Sequence, residues 1–526
     1  MTEQTNISQL SAQDAQFLYI QSATNLTHVM AVYIYDPSTA PGGKVRFKDI
    51  IEHMRKRMDV SPMFKRKLYR LPLDIDHPYW VEDEHFDLEA HISHSRLPEP
   101  GDWRQFCIHV ARHHSKPLDM TRPLWDMYVV EGLDNIPGYA KGSYAILTRI
   151  HHSTIDGVSG AHFFAAISDK DTKGTPAIPL PEGQSAATKL PTATEILSRA
   201  LNSTVTSPVK LTQALLKFTP ALLSTAQKSL TGSHEETDTG VPQTRFNGPV
   251  TPNKMFDAVT FDLDELKKMR LKVRDATIND VVLAICSGAL RHYLTKHKEL
   301  PKESLVAVAP VNARSRSGDE ANPGNNISAM TIKIWSNIAD PVKRLEAIKD
   351  TTRETKAAKS GLSARIMTDL TKHIPGVTMA GVARILTDER FAPKMSNLMV
   401  SNVPGPQIQL YMNGAKLTHQ YGLAPLAHGM GLFIATPSYN GTISFSIISD
   451  RKMMPDIEFF RECLQRAFNE LQDAKPSADA GLTKKAVAEP RKPVAPSDGS
   501  VMYRRVAKKP RATGSKAIGG NKPKVK

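Results

Sequence analysis

Seven residues, His151-His152-Ser153-Thr154-Ile155-Asp156-Gly157, hold most of the chemistry this sequence offers. They directly follow the apolar, strand-like run Tyr144 to Ile150. Neighbouring residues of a strand point to opposite faces, so the two imidazoles cannot converge on one metal ion. One working histidine is the expectation, with its neighbour packed or hydrogen-bonded elsewhere. A histidine with a free pKa of ~6.5, placed at a strand end, can serve as a base at neutral pH. Asp156 can turn back to fix the loop or hold the ring. Gly157 removes a side chain where backbone or substrate must approach closely.

A second pair imitates the first: His113-His114-Ser115-Lys116-Pro117-Leu118-Asp119. Its acid stands one residue further away, no glycine follows, and the pair ends an amphipathic helix. It reads as surface structure. Other site classes fail outright. The chain has no G-x-x-x-x-G-K-[ST] phosphate loop, no G-x-G-x-x-G fingerprint and no H-E-x-x-H zinc helix. A G-x-S-x-G nucleophile elbow is also missing, which argues against an α/β-hydrolase.

The elements that must position the motif fall into two segments. The first runs from about Leu10 to Ser168, with a helix over Ser11 to Leu18 and a strand over His28 to Tyr35. Helical spacing follows at Phe47 to Met58 and Gln105 to His114, then strands at Trp125 to Val130 and Tyr144 to Ile150. A long connection rich in Pro, Thr, Ser and Gly spans 169–252. Within it, Thr194 to Leu230 is amphipathic and carries no acid from Ile196 to His234. That pattern suits a helix lying on an anionic membrane interface, and equally a crossover helix packed on its own protein. The second segment, 253–474, has helix-like Asp262 to Arg274 and the apolar run Val281 to Leu294 behind Asn279-Asp280, a helix-start signal. Strands are expected at Leu305 to Val311, Ala329 to Ile334, Leu398 to Asn402, Gly431 to Thr436 and Thr442 to Ile448, and a last helix at Pro455 to Leu471. Mixed strands and helices on both sides of a crossover make two α/β lobes.

Composition bounds the partners. The chain has 526 residues, enough for two to four domains of ordinary size, and no apolar run near the ~18 residues of a membrane span. Its first residues have neither the basic nor the apolar region of a secretory signal. Three cysteines (Cys107, Cys286, Cys463) with no C-x-x-C pair exclude a disulfide scaffold or a cysteine zinc site, and a reducing compartment is the expectation. Of the net charge of +15, a net +11 falls in residues 475–526, a stretch too poor in apolar residues to fold. A basic tail of this kind attracts nucleic acid or anionic membranes without specificity, or is simply solvated.

The motifs then resemble a family. H-H-x-x-x-D-G is shared by CoA-dependent acyltransferases with the chloramphenicol-acetyltransferase and condensation-domain fold. Several further motifs make the chain more narrowly similar to the bacterial wax ester synthase/acyl-CoA:diacylglycerol acyltransferase family. These are Leu10-Ser11-Ala12-Gln13-Asp14-Ala15-Gln16-Phe17-Leu18, Pro123-Leu124-Trp125, Asn279-Asp280, Pro310-Val311-Asn312-Ala313-Arg314, Gly324-Asn325-Asn326 and Ser401-Asn402-Val403-Pro404-Gly405-Pro406. The resemblance runs from about Leu10 to Leu471. It implies two chloramphenicol-acetyltransferase-like lobes joined by a long crossover, with the active site at the lobe interface. The lobes would be residues 1–168 and 253–474. His152 would be the general base, deprotonating a hydroxyl that attacks the thioester of a fatty acyl-CoA. Asp156 would be structural support and Gly157 would widen the channel, with His151 in a supporting place.

Asn279 and Asp280 read either as an oxyanion-side dipole or as an ordinary helix cap. Arg314 reads as a CoA-phosphate contact or an interface brace. Pro404-Gly405 is a turn first, and Pro123-Leu124-Trp125 core first. The implied product is triacylglycerol from diacylglycerol, wax ester from a long-chain alcohol, or both. Acyl-CoA is a substrate, and neither metal nor redox cofactor is called for. A cytoplasmic place at the inner membrane or a lipid droplet fits such apolar products, with no specific nucleic-acid partner. Two alternatives stand beside this: a condensation-type acyltransferase with another acceptor, and a catalytically silent lipid-surface protein.

Overall fold

The strand-like runs of both segments pair into two six-stranded sheets, seen in a computed structural model that describes residues 8–71, 76–154, 164, 167–176, 241–312, 327–358, 396–478 and 480. Asp156, Gly157, Arg314, Gly324-Asn325-Asn326, the amphipathic stretch 194–230 and nearly all of the basic tail lie outside those residues. In chain order the first segment contains β1 (Ser8–Gln9), α1 (Ala12–Tyr19), β2 (His28–Asp36), α2 (Phe47–Arg55), β3 (Arg66–Tyr69), β4 (Tyr79–Glu82), β5 (Ile92–Arg96), α3 (Trp103–His114), β6 (Trp125–Glu131) and β7 (Tyr144–His151). The second contains β8 (Lys254–Asp262), α4 (Leu263–Met269), α5 (Ile278–Lys296), β9 (Val306–Asn312), β10 (Ile327–Lys333) and α6 (Pro341–Ala358). It continues with β11 (Leu398–Pro404), β12 (Tyr411–Met412), β13 (Ala415–Leu423), β14 (Leu432–Tyr439), β15 (Thr442–Asp450) and α7 (Ile457–Asp473).

One sheet has the order β12-β13-β2-β7-β6-β5 and the other β10-β9-β11-β14-β15-β8, with a small third sheet β1-β4-β3. The first sheet therefore takes two strands from the C-terminal segment. β13 pairs antiparallel with β2 from Lys416↔Asp36 to Leu423↔Met30, with a bulge between Leu417 and His419. The chain leaves the second sheet after β11, completes the first, and returns as β14. Sheet membership thus does not follow the order of the chain.

Period-two alternation decides what each strand faces, although both faces are buried. On β2, Met30, Val32 and Ile34 join the core that also holds Phe106 and Val110 of α3 and most of the second lobe. Tyr33 and Tyr35 turn to a separate core with Ile50 and Met54 of α2 and with Trp125. Each large side chain so buried contributes roughly 1.5–3 kcal/mol. The same alternation on β7 sends Ala145 and Leu147 to the α3 side and Tyr144, Ile146 and Ile150 to the α2 side.

Side-chain hydrogen bonds tie the lobes directly. Trp103 Nε1 on α3 donates to Asp257 Oδ1 on β8 at 2.8 Å, while within the second lobe Arg461 Nε on α7 donates to its other oxygen at 3.0 Å. The hydroxyls of Tyr139 and Tyr421 lie 3.1 Å apart. At the end of β11, Gly405 lets the chain approach β14 closely, since a Cβ there would stand 2.2 Å from the carbonyl oxygen of Ser438. The Val-Pro-Gly-Pro turn needs its glycine for this approach.

Most local expectations hold; the helix expected over Phe47 to Met58 ends at Arg55, and two others change more. The helix expected over Asp262 to Arg274 stops at Met269, and a 3-10 turn, Arg270–Lys272, follows. The His113-His114 pair ends α3 as expected, but it is not surface structure: the two side chains are 6% and 2% exposed. The carbonyl of His114 accepts from His28 Nε2 at 2.9 Å and that of His113 from Arg149 Nη1 at 2.9 Å. Strand positions 28 and 149 face α3 and draw the helix end inward. A reading by hydrophobicity places a histidine outside; here backbone carbonyls and burial place it inside.

Candidate active site

β7 ends at His151, and a 3-10 turn, His152–Thr154, begins at once. This break separates the two histidines. His151 is completely buried, and its backbone N–H donates to the carbonyl of Leu124 at 2.9 Å. Its Nδ1 accepts from the Ser153 backbone N–H at 3.2 Å and lies 2.7 Å from the Ser153 hydroxyl. With Nδ1 accepting, Nε2 carries the proton and faces Gln21 Oε1 and Thr27 Oγ1, each at 2.9 Å. Burial, with His28 and His152 nearby, pushes the ring down to about 3. His151 is therefore a neutral structural strut.

His152 follows a different course. Its backbone N–H donates to the carbonyl of Thr27 at 2.9 Å. Its imidazole lies flat against the ring of Phe17, centroids 3.9 Å apart and planes 16° from parallel. Phe17 is held in turn, because the Thr27 hydroxyl donates to its carbonyl at 2.8 Å. The helix that carries Phe17 starts at Ser11, whose hydroxyl accepts from the Asp14 backbone N–H at 3.1 Å. Leu10, Ala15, Leu18 and Tyr19 pack α1 against Leu124. The Leu-Ser-Ala-Gln-Asp motif thus builds a helix whose apolar face docks on the Pro-Leu-Trp turn and whose Phe17 backs the imidazole.

Burial pushes His152 down to about 4. Above that pH the ring is neutral and can accept a proton. The two histidines do not share a ligand position, and no group of three or more His, Cys, Asp or Glu side chains among the described residues is arranged to hold a metal ion.

Below the motif, Arg149 crosses from β7 to the end of α3. Its guanidinium pairs with Asp126, Nε to Oδ1 at 3.0 Å, and donates to the carbonyls of His113 and Lys116. Side chains at 149 and 151 share a strand face, so this pair fixes the rotation of the strand that delivers the motif. Trp125, the last residue of Pro-Leu-Trp, is core: it is 1% exposed and its Nε1 donates to the Phe64 carbonyl at 3.1 Å.

Asn279 and Asp280 are not the helix cap. Thr277 is the cap of α5, and Asp280 is the acid of its capping box. Asp280 Oδ2 accepts from the Thr277 backbone N–H at 2.8 Å and its hydroxyl at 2.7 Å, while Oδ1 accepts from Thr352 on α6 at 2.7 Å. Both oxygens are spent inside the second lobe, so Asp280 ties α5 to α6. Asn279 is half-buried in the first turn of that helix. Asp156, Gly157 and Arg314 fall outside the described residues. Sequence reasoning missed Phe17, Gln21 and Thr27 as parts of the site. The Gln-Phe-Leu of the first motif was the one local signal, but contacts between residues over 100 positions apart leave no periodic trace.

A two-sheet α/β fold with a neutral imidazole at the end of a central strand defines a class, the two-lobed acyltransferases. The fold is shared with the TRI3 trichothecene 15-O-acetyltransferase of Fusarium sporotrichioides, at TM-score 0.53 and 12% identity over 88% of this chain and 94% of that one. Within that class the chain belongs to the wax ester synthase/diacylglycerol acyltransferase family: the family's catalytic domain matches residues 10–282 and its C-terminal domain residues 323–472. A Mycobacterium tuberculosis protein that carries the name diacylglycerol O-acyltransferase is 31% identical over 90% of this chain and 92% of its own. The wax ester synthase/diacylglycerol acyltransferase of Marinobacter aquaeolei VT8 superposes with TM-score 0.64 at 25% identity, covering 90% of this chain and all of that one. The chain is an acyltransferase.

Proposed function

We propose that the protein moves a long-chain acyl group from acyl-CoA to the hydroxyl of diacylglycerol, of a long-chain alcohol, or of both, with His152 as general base. The observation that carries this reading is the His152 ring itself: neutral, backed by Phe17 and anchored through Thr27 at the end of β7. The imidazole takes the hydroxyl proton as the oxygen bonds to the thioester carbonyl carbon. The carbon–sulfur bond breaks, CoA thiolate leaves, and the imidazolium returns its proton to the sulfur. No acyl-enzyme forms, and the step uses no metal or redox group. General-base help of this kind is worth ~10²–10⁴-fold, with positioning supplying much of the rest.

In this reading Asp156 supports the loop, Gly157 leaves room beside the base, and Asn279 and Arg314 contact the thioester side and the CoA phosphates. The enzyme works at the cytoplasmic surface of a membrane or lipid droplet, where its apolar acceptor and product collect. No helix among the described residues is long and apolar enough to cross a membrane, which fits a peripheral position. Thiol release from palmitoyl-CoA, offered hexadecanol and dioleoylglycerol separately, tests the reading with His152→Ala alongside. Acceptor-dependent release that falls ~10²-fold or more in the variant is expected. Release unchanged by the substitution would move the chemistry elsewhere.

A further inference from the structure

Away from the histidine motif, α3 and the start of β8 frame a groove of about 1040 Å³, closed on its far side by the start of α7. Its charges do not balance. The acids on its wall are already engaged: Asp102 caps α3, Glu458 pairs with Arg104 at 3.2 Å, and Asp257 pairs with Arg461 at 3.0 Å. Arg112, Lys116 and Arg451 also line it, are exposed, and make no ion pair among the described residues. His109, Arg112, His113 and Lys116 recur at three- and four-residue spacing and so share one face of the helix and its exit.

A second observation points into the same groove. His109 Nε2 is buried and has no hydrogen-bond partner among the described residues. Burial comes first, and the electrostatic influence of His113, Lys116 and Arg112 follows, in pushing His109 down to about 4. An unpartnered ring nitrogen beside the unpaired Arg112 and Lys116 leaves the groove with positive charge and an open hydrogen-bonding position. Arg149 already satisfies the carbonyls of His113 and Lys116, so these cations are not needed to cap α3.

We propose that this groove seats a phosphate-bearing head group, gripped by Arg112, Lys116 and Arg451 with His109 at its floor. Arginine forks match phosphate oxygens, and a volume of about 1040 Å³ exceeds what a lone inorganic anion fills. Two sources carry that chemistry to an enzyme of this kind, the head of CoA and the head group of an acidic phospholipid. The site's existence does not depend on the reaction proposed above; only the choice of sources rests on it.

The test uses the full chain against Arg112→Glu/Lys116→Glu and against the charge-keeping Arg112→Lys/Lys116→Arg, all checked for wild-type melting. Titration calorimetry with CoA and with 3′-dephospho-CoA reads one source. Co-sedimentation with vesicles of phosphatidylcholine, with and without phosphatidylglycerol, reads the other, the basic tail being the same in every chain. The double Glu variant is expected to lose ~10-fold or more in affinity for one of the two probes, while the charge-keeping variant holds it and added salt weakens the wild type. A CoA loss with raised KM for palmitoyl-CoA assigns the groove to the CoA head, and a vesicle loss alone assigns it to phospholipid. Wild-type affinity for both probes in the double Glu variant overturns the proposal. Because both readouts are binding, a chain that transferred no acyl group would still show whether the groove holds a phosphate.

Discussion

Removing the Phe17 ring exposes what the stack does for His152. The two rings lie 3.9 Å apart and nearly parallel, and Phe17 covers one face of an imidazole whose low pKa, about 4, comes first from burial. Phe17→Ala removes that cover and the orientation it imposes. An aromatic pair contributes ~0.5–1.5 kcal/mol beyond its buried area, so loss of orientation alone is expected to lower kcat at pH 7.5 by about 2- to 12-fold. Water reaching the ring also moves its pKa back toward ~6.5. Only neutral His152 can take a proton, so the acid limb of the rate profile rises with that pKa. At pH 5.5 the wild-type ring is almost wholly neutral, whereas one titrating at ~6–6.5 is only ~10–25% neutral. The ratio of the rate at pH 5.5 to that at pH 7.5 should stay near one for the wild type and fall below ~0.3 for Phe17→Ala. Phe17→Leu, which keeps apolar cover but not the flat face, should lose kcat with a smaller shift of the limb. Initial rates of thiol release after a jump from pH 7.5, with circular dichroism at each pH, separate titration from unfolding. A Phe17→Ala profile that superposes on the wild type in position and height would refute the argument.

Asp280→Asn should cost ~1–2 kcal/mol of stability through the lost capping box and the Thr352 bond, with kcat of the folded enzyme within about threefold; a ~10²-fold loss of kcat at unchanged Tm would instead place the carboxylate in the chemistry. Buried neutral histidines make the fold acid-sensitive: His28 and His151 are pushed down to about 3 and His53 to about 4, each chiefly by burial. Their contribution is complete above the unfolded value of ~6.5 and is lost as pH falls from there toward the folded values, ~1.4 kcal/mol per pH unit for each. Tm should drop steeply between pH 6.5 and 4.5, and a flat Tm over that window would contradict it. A fragment 1–252 leaves β2 an open edge where β13 pairs, and should aggregate alone but be rescued by co-expressed 253–526; a monomeric fragment with cooperative melting would rule this out.

Most of the elements that hold the motif were legible in the chain because their patterns are local. The run Tyr144 to Ile150 is apolar and short, and it forms β7 with one residue added. The Ser-Ala-Gln-Asp start of α1 carries its own cap. That the two histidine side chains part followed from strand geometry, and the structure adds the strand-to-turn break between them. What stayed hidden was tertiary. β8 mixes charged, polar and apolar residues and shows no clean alternation; β13 does alternate, with Ala415, Leu417, Tyr421 and Leu423 buried, but Thr418 is its one β-branched residue and its intervening polar positions leave a weak strand signal. The capping role of Asp280 depends on Thr352 across 72 residues, and the burial of His113 and His114 on strand residues His28 and Arg149.

The hidden strand has the larger consequence for the site. β13 lies two strands from β7, with β2 between them, and β2 pairs His28 with His151 in register. The second lobe therefore reaches the strand that carries the histidine motif through a continuous ladder of backbone hydrogen bonds. The bulge between Leu417 and His419 sets the register of that ladder from the C-terminal side, and the Gly405 approach to Ser438 fixes where the chain leaves the second sheet to form it. A shift of one residue in β13 would turn Leu417, Tyr421 and Leu423 from buried to opposed positions, so register is specified by burial rather than by turn chemistry. The lobe boundary that a sequence suggests is thus crossed by the structure at the point that holds His152 in place.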